Sequence, residues 1–342
     1  MVWKNKTDET LSVAFIIPTF NAEKYIGDCI RSIKKQKYPK DKTEIIISDG
    51  GSIDKTLHIV RKHNCKILYN KYQRADPGIA LGLMVSESDI NFVVNADNEL
   101  PQENWIHLMI LAFKENNDVF GVFTRTLKNI EDSAINRYWI LLNDHNPLNW
   151  FIYKKVVDQT EMRENYGIIK KAPHYIVFNF NPENYPPICL AQGFGVRRGA
   201  IEFIHTKSKF EHFNIVIEML RKGLKVAYVP ESGIYHHTLE NFTHFIRKFH
   251  FRIVDRLNTT KYGFRSRQKF MTKDRKIRQY LWFIYSLIPI FPLVDVVKGF
   301  LKDNDLAWFY HPIICFSLTI LIVISFIEYK ISRVIHFINN KF

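Results

Sequence analysis

Short apolar runs punctuate the first two-thirds of the chain: VAFII (13–17), EIIIS (44–48), CKILY (65–69), NFVVN (91–95), VFGVF (119–123) and KVAYV (225–229). Runs of this length, rich in Val, Ile and Phe, predict strands buried on both faces. Between them, AEKYIGDCIRSIKKQ sets Tyr25, Ile26, Cys29, Ile30 and Ile33 on a 3.6-residue period, the pattern of a helix with one buried face. In SIDKTLHIVRKH, Ser52 is the expected N-cap ahead of Leu57 and Val60. Strands alternating with helices predict an α/β fold over residues 1–240, a mostly parallel sheet with helices on both faces.

The C-terminal end has a different pattern. Trp308 to Ile327 (WFYHPIICFSLTILIVISFI) is 20 residues without Asp, Glu, Lys or Arg, long enough to span a hydrocarbon core as a helix. Tyr280 to Val294 (YLWFIYSLIPIFPLV) is shorter, and Pro289 and Pro292 predict a kink. A kinked span, a re-entrant segment and an interfacial helix all fit it. Residues 279–342 are therefore expected to anchor the chain in a membrane, as a hairpin with spans at about 280–297 and 308–327. Arg275, Lys276 and Arg278 flank one side, Lys330, Arg333 and Lys341 the other. Positive flanks at both outer ends place the tail and the domain 1–240 in the cytoplasm.

Charge adds a middle segment. The 342 residues hold 48 Lys+Arg against 34 Asp+Glu, a formal net charge of +14. Residues 241–278 carry +10 of it, with twelve Lys/Arg and two Asp/Glu. Within them, NFTHFIRKFHFRIVDRL spaces Phe242, Phe245, Ile246, Phe249, Ile253 and Leu257 by three and four, with cations between. That is an amphipathic helix suited to an anionic membrane surface. A nucleic-acid groove is the rival reading of the same charges, but the adjacent apolar runs favour the membrane, and no nucleic acid is expected as a partner. The 46% hydrophobic fraction excludes a disordered or low-complexity chain. Cys29, Cys65, Cys189 and Cys315 make no CxxC or Cys/His metal spacing, so reduced thiols are expected.

Ligands of such sheets bind beyond the carboxyl ends of the strands. The sequence puts polar groups there: Pro18-Thr19-Phe20-Asn21 after the first strand, Ser48-Asp49-Gly50-Gly51-Ser52-Ile53-Asp54 after the second, and Asn95-Ala96-Asp97-Asn98 after the fourth. No GxGxxG or GxxxxGK[ST] occurs, so neither a dinucleotide fingerprint nor a P-loop is supported. In order, "IIPTFNAEKYIGDCIRSI", "IIISDGGSIDKT", "DPGIALG" (76–82), "NADN" (95–98) and "KVAYVPESGIYHH" (225–237) resemble family 2 glycosyltransferases, which have the GT-A fold. The resemblance runs from about Leu11 to His237.

The resemblance implies a UDP- or GDP-linked nucleotide-sugar donor, a Mg²⁺ or Mn²⁺ ion, and a lipid-linked or glycan acceptor. Pro18 and Thr19 would line base and ribose, with Asn21 beside them. Asp49 would accept the N–H of the base, the alternative being an Asp that caps its own Asp-Gly-Gly turn. Arg74 and Asp76 would approach the phosphates or sugar. Asp97 would meet the metal, because a hard cation bridging two phosphates needs a carboxylate oxygen. The family pattern Asp-x-Asp is here Asn95-Ala96-Asp97, so Asn95 is left to a ribose hydroxyl. His236 or His237 would add a metal or phosphate contact. Neighbours on a strand point to opposite faces, so only one can serve, and His236 is expected. The family draws its general base from a Glu-Asp pair. Here the pair reads Glu211-His212, and both remain candidates. Gln192-Gly193-Phe194-Gly195, ahead of Arg197-Arg198, matches where the family builds its acceptor pocket. The aromatic stretch Trp139 to Tyr185 interrupts the match and reads as an acceptor-binding insertion or a satellite core. The expected function is inverting glycosyl transfer at the cytoplasmic membrane face. A polyprenyl-phosphate acceptor and a non-catalytic nucleotide-sugar binder are the alternatives. Two spans and the absence of a Gln-x-x-Arg-Trp stretch argue against a processive synthase.

Overall fold

A computed structural model describes residues 10–153, 159–204, 210–258 and 271–339. Part of the expected basic segment (259–270) and Lys341 lie outside the described residues. The chain divides into two compact units, residues 1–127 with 156–237 and residues 128–155 with 238–342. The first unit is thus made of two stretches, not of a continuous 1–240.

The first unit alternates as the pattern predicts. Its elements are β1 (Val13–Thr19), α1 (Ile26–Lys34), β2 (Thr43–Asp49), α2 (Thr56–Lys62), β3 (Lys66–Tyr69), α3 (Ala75–Val85), β4 (Ile90–Val93), β5 (Asn98–Glu99), α4 (Trp105–Glu115) and β6 (Val119–Leu127). After an excursion through α5 (Ala134–Leu141) and α6 (Pro147–Tyr153) in the second unit, the chain returns. It continues with α7 (Gln159–Asn165), β7 (Ile168–Lys171), β8 (Ile176–Phe178), β9 (Phe194–Arg197), α8 (His212–Arg221) and β10 (Lys225–His236). The sheet order is β3-β2-β1-β4-β9-β6-β10-β8-β7, with β5 added to the end of β10. β3, β2, β1 and β4 pair in parallel, as do β6 and β10, and β9 runs antiparallel between the two groups. The fold is α/β with a mostly parallel central sheet.

Burial explains the register. Val13 to Ile17 are fully buried, and Ile26, Cys29, Ile30 and Ile33 of α1 cover one face of the sheet's core. There Phe15 stacks on Phe92 (ring centroids 5.4 Å apart) and Trp105 meets Phe92 edge-on (4.9 Å). On the other face α3 approaches β1 so closely that a Cβ on Gly82 would sit 2.4 Å from Ile16 Cγ2. Pro18 is tolerated in a central strand because the pairing of β1 with β4 ends at Ile16 opposite Val93, before the missing N–H is needed.

The second unit is helical: α5, α6, α9 (Phe242–Asn258), α10 (Lys273–Leu287), α11 (Ile290–Asp303) and α12 (Tyr310–Asn339). Tyr138, Trp139, Phe245, Phe249, Trp282, Trp308 and Leu318 share one buried cluster. Residues 128–155 belong here because α5 holds the start of the C-terminal region. Asn136 Oδ1 accepts the N–H groups of Thr238 (3.0 Å) and Leu239 (2.9 Å), and Ser133 Oγ donates to the Leu239 carbonyl (2.8 Å). Of the aromatic stretch 139–185, the α5–α6 part therefore joins this core, while Tyr166 and Tyr175 pack in the first unit. The run 280–294 is broken at Ile288-Pro289, and α10 and α11 meet at 92°. By length and composition, the helix at Leu306–Ile335 is able to cross a membrane.

Candidate active site

The turns after β1 and β2 are stitched together. Thr19 and Asp49 are register partners, and the Asp49 carboxylate is 3% exposed. Its Oδ2 receives the N–H groups of Gly51 (2.8 Å) and Ser52 (2.9 Å); its Oδ1 receives the hydroxyls of Thr19 (3.1 Å) and Ser52 (2.5 Å). Four donors fill the carboxylate's roughly four lone-pair sites. Asp49 thus organises its own turn, in either of the two readings the sequence left open. Gly51, at φ +92°, supplies the left-handed backbone the turn requires. Ser52 does not cap α2, contrary to expectation. Its hydroxyl is engaged by Asp49 and by the Asn21 N–H (2.9 Å), and the Thr56 N–H at the helix start bonds Asp54 instead (2.9 Å). Asn21 itself is left-handed (φ +48°) and accepts the Ile53 N–H (2.9 Å). Thr19, Asn21 and Asp49 therefore form one hydrogen-bonded edge, with Pro18 opposite Ser48 beside it.

Asp97 lies in the turn between β4 and β5, eight positions before the first residue of α4, so it caps no helix. The turn is held by the Asn95 N–H donating to Asn98 Oδ1 (2.8 Å) and the Asn98 N–H donating to the Asn95 carbonyl (3.0 Å). β5 then pairs antiparallel with the end of β10, Asn98 opposite His236, and the His237 N–H donates to the Asp97 carbonyl (2.9 Å). This pairing sets His236 Nε2 3.2 Å from Asp97 Oδ1. His237 points the other way: its ring stacks on Tyr25 and its Nε2 is 3.6 Å from Glu99. Gln192, at φ +45°, brings its amide to 3.4 Å from His236 Nδ1, a partner that nothing in the linear spacing announces.

The Asp97–His236 pair fits a divalent ion. Cis ligands on an octahedral ion with ~2.1 Å bonds are roughly 3 Å apart, close to the 3.2 Å found. Among the described residues no group of three or more His, Cys, Asp or Glu could hold a metal, so phosphate oxygens and water would complete the shell. Cys29, under the Asn95 carbonyl, adds no ligand: burial, and then the Asp97 charge, push its thiol far above the ordinary range and keep it protonated.

A second pair joins positions 136 residues apart. Asp76, in the first turn of α3, accepts at Oδ1 both the His212 backbone N–H (3.1 Å) and His212 Nδ1 (2.5 Å). The carboxylate thereby serves the start of α8 in place of a local cap. With Nδ1–H donated to Asp76, the Nε2 of His212 carries the lone pair, the arrangement a general base requires. Both side chains are about one-third exposed. Glu211, the other candidate, sits at the N-cap position of α8 but makes no side-chain capping bond. Arg74 is exposed at the head of α3, where its carbonyl accepts from Asn70 Nδ2 (2.7 Å).

Comparison with known proteins gives this geometry a context. Residues 14–171 match Glycosyl transferase family 2. A dolichyl N-acetyl-alpha-D-glucosaminyl phosphate 3-beta-D-2,3-diacetamido-2,3-dideoxy-beta-D-glucuronosyltransferase of Methanococcus voltae is 35% identical over 101 residues, 28% of this chain and 31% of that protein. The poly(ribitol-phosphate) beta-N-acetylglucosaminyltransferase TarS of Staphylococcus aureus (strain Mu50) is 31% identical over 93 residues, 26% of this chain and 16% of that one. The chain thus matches less than a third of the length of either relative. Among solved structures, the mannosyltransferase PcManGT from Pyrobaculum calidifontis, in complex with GDP-Man and Mn²⁺, aligns over 94% of this chain and 89% of its own. Its TM-score is 0.52 at 12% identity, a likeness of fold.

Proposed function

We propose that this chain, whose residues 14–171 match Glycosyl transferase family 2, is an inverting glycosyltransferase. It takes a sugar from a UDP- or GDP-linked donor and transfers it to a membrane-held glycan or lipid-linked acceptor. The observation that carries the reading is the pairing of Asp97 with His236 at the carboxyl edge of the sheet, where ligands of such folds bind.

Asp97 and His236 would hold Mg²⁺ or Mn²⁺, an oxygen–nitrogen set that Mn²⁺ accepts. When bound, the ion would neutralise charge on the departing nucleoside diphosphate. Thr19 and Asn21 border the edge where base and ribose would lie, with Asn95 and Arg74 in reach of ribose and phosphate in this reading. His212 Nε2 would take the proton of the acceptor hydroxyl as its oxygen attacks the anomeric carbon and the bond to the diphosphate breaks. Asp76 would keep the imidazole in the right tautomer and stabilise its cation, as an orienting carboxylate does. The His212–Asp76 bond (2.5 Å) favours a hydroxyl acceptor over polyprenyl phosphate, which needs no base. A membrane-held acceptor is supported by the apolar helix at Leu306–Ile335 and by a relative named for a dolichyl sugar phosphate.

The four donors on Asp49 and the amide at Asn95 favour a second reading, a nucleotide-sugar binder without turnover. A thermal-shift screen of UDP, GDP and their sugars with and without Mn²⁺ tests donor binding, since a ligand of the native state raises the midpoint. Release of nucleoside diphosphate then separates the two readings. No Mn²⁺-dependent shift with any donor would count against both.

A further inference from the structure

Length and composition offer α12 as a transmembrane span, and the sequence alone suggested a hairpin of two. The packing of the second unit points elsewhere. Tyr138 of α5 donates its hydroxyl to His311 Nδ1 (2.8 Å), tying α5 to the first turns of α12. The same α5 binds Thr238 and Leu239, just ahead of α9. Further on, His250 of α9 meets Glu328 of α12 (2.9 Å). α9 therefore leaves the α5 end of the bundle and meets α12 at Glu328 about 12 Å, eight residues, along its own axis. That residue is 18 positions past Tyr310, about 27 Å along the axis at ~1.5 Å per residue. This is nearly the ~30 Å of a hydrocarbon core.

A spanning α12 would carry the first half of α9, up to His250, into that core. α9 bears Arg247, Lys248 and Arg252 among its described side chains, cations that lipid excludes unless they face protein or water. Lys248 is tied to Thr238 and Arg252 lies over the Phe249 ring (5.4 Å), whereas Arg247 is exposed. The α10–α11 pair does not make a straight span either. Its arms of 15 and 14 residues meet at 92°, so both cannot follow the membrane normal. Tyr285 braces that angle, donating to Asp295 on the other arm (2.7 Å) and bonding His311 (2.6 Å).

We infer that the second unit lies in the membrane interface and crosses nothing: α12 runs in the plane of the bilayer, half sunk in one leaflet. Its outer face fits this. Phe316, Ile320, Val323, Ile327 and Ile331 are all more than a third exposed, while Ile314, Cys315, Leu318 and Leu321 pack inward. The α10–α11 bend exposes Leu287, Ile288, Ile290 and Phe291 at its apex, whereas charged residues gather at its open ends (Lys273, Asp274, Arg275, Lys276; Lys302, Asp303). An apolar face of this extent, bordered by cations, matches an anionic lipid surface. The inference rests on membrane association and not on transfer chemistry, so turnover has no part in its test.

Single cysteines at Lys302→Cys and Arg333→Cys in the full-length chain, probed with a membrane-impermeant maleimide in sealed vesicles, distinguish the topologies. Lys62→Cys, at an exposed position at the end of α2, marks the side of the first unit, and the unsubstituted chain supplies the background. Expected is labelling of all three positions from one side, and retention of the chain on membranes in high salt. Arg333→Cys reached only from the opposite side would mean that α12 spans, and would overturn the inference. Lys302→Cys reached only from the opposite side would mean the two-span hairpin, and would overturn it too. Recovery of the chain in the soluble fraction would also do so. As an independent check, Ile320→Glu should lower the membrane-bound fraction by about tenfold with helicity retained; an unchanged fraction would contradict a lipid-facing Ile320.

Discussion

His236 Nε2 stands 3.2 Å from Asp97 Oδ1, although 139 positions separate the two residues in the chain. The short β5 strand is the cause, because its pairing with the end of β10 carries the Asp97 turn to the imidazole. Asp97→Ala should abolish the Mn²⁺-dependent part of any nucleotide-induced thermal shift. It should cut transfer by about a hundredfold or more, since several kcal/mol of charge stabilisation is lost. A metal-dependent shift that survives in Asp97→Ala would remove this residue from the metal site.

Gln192 should tune the same site. Its amide faces His236 Nδ1 at 3.4 Å, and either end of an amide can be presented. The carbonyl end, accepting from Nδ1–H, puts the ring's lone pair on Nε2, the atom that faces Asp97. Gln192→Leu should therefore weaken Mn²⁺ binding by about tenfold, as loss of such outer partners does. Titration of Mn²⁺ by electron paramagnetic resonance measures it directly.

The His212–Asp76 pair predicts a split between binding and chemistry. His212→Ala should lower kcat by about 10²- to 10⁴-fold with KM for the donor nearly unchanged. Asp76→Asn should lower kcat as well, because the amide no longer enforces the Nδ1–H tautomer. Unaltered kcat in both variants would return the base to Glu211, or to an acceptor that needs none.

Asp305 predicts an acid-sensitive second unit. Burial by itself would raise its carboxyl; the Ala307 N–H, Lys128 and Arg137 outweigh this and hold it below the usual carboxylate range. A carboxylate lowered in the folded state stabilises above its unfolded value of about 3.9, and that stabilisation fades as pH falls through the folded value. Asp305→Asn should cost on the order of 2 kcal/mol near neutrality. Thermal melts should show the gap between variant and parent closing as the pH drops below about 4.

Gly82 predicts a packing failure in the first unit. The added Cβ of Gly82→Ala would meet Ile16 at 2.4 Å, and forced overpacking costs about 1–3 kcal/mol. The urea midpoint should fall while the slope of the transition holds.

Much of the first unit was legible in the chain because its signals are local. Each strand core from VAFII to KVAYV is a run of buried residues, and Ile26, Cys29, Ile30 and Ile33 announced the inner face of α1. Asn95, Asp97, His236 and His212 could be picked out because they follow strands or open a helix. The partners could not. Asp76 with His212 and Gln192 with His236 are joined by tertiary packing over 136 and 44 positions, and no periodicity records such distances. Ser52 misled for a related reason: a hydroxyl ahead of a helix looks like a cap until Asp49 and Asn21 claim it.

The second unit draws the same line more sharply. By itself the sequence determined that residues 308–327, most of them in α12, are apolar and free of Asp, Glu, Lys and Arg, because hydropathy is a sum over neighbours along the chain. It determined likewise that most of the +14 lies just ahead of the apolar end. Only the tertiary structure decided what stands beside that helix. The His250–Glu328 contact sets a cationic helix along it, and the 92° break between α10 and α11 removes a second straight span. Hydrophobicity says that a segment prefers lipid. Its depth and direction follow from the cost of burying whatever packs against it, and that neighbour is chosen by the fold.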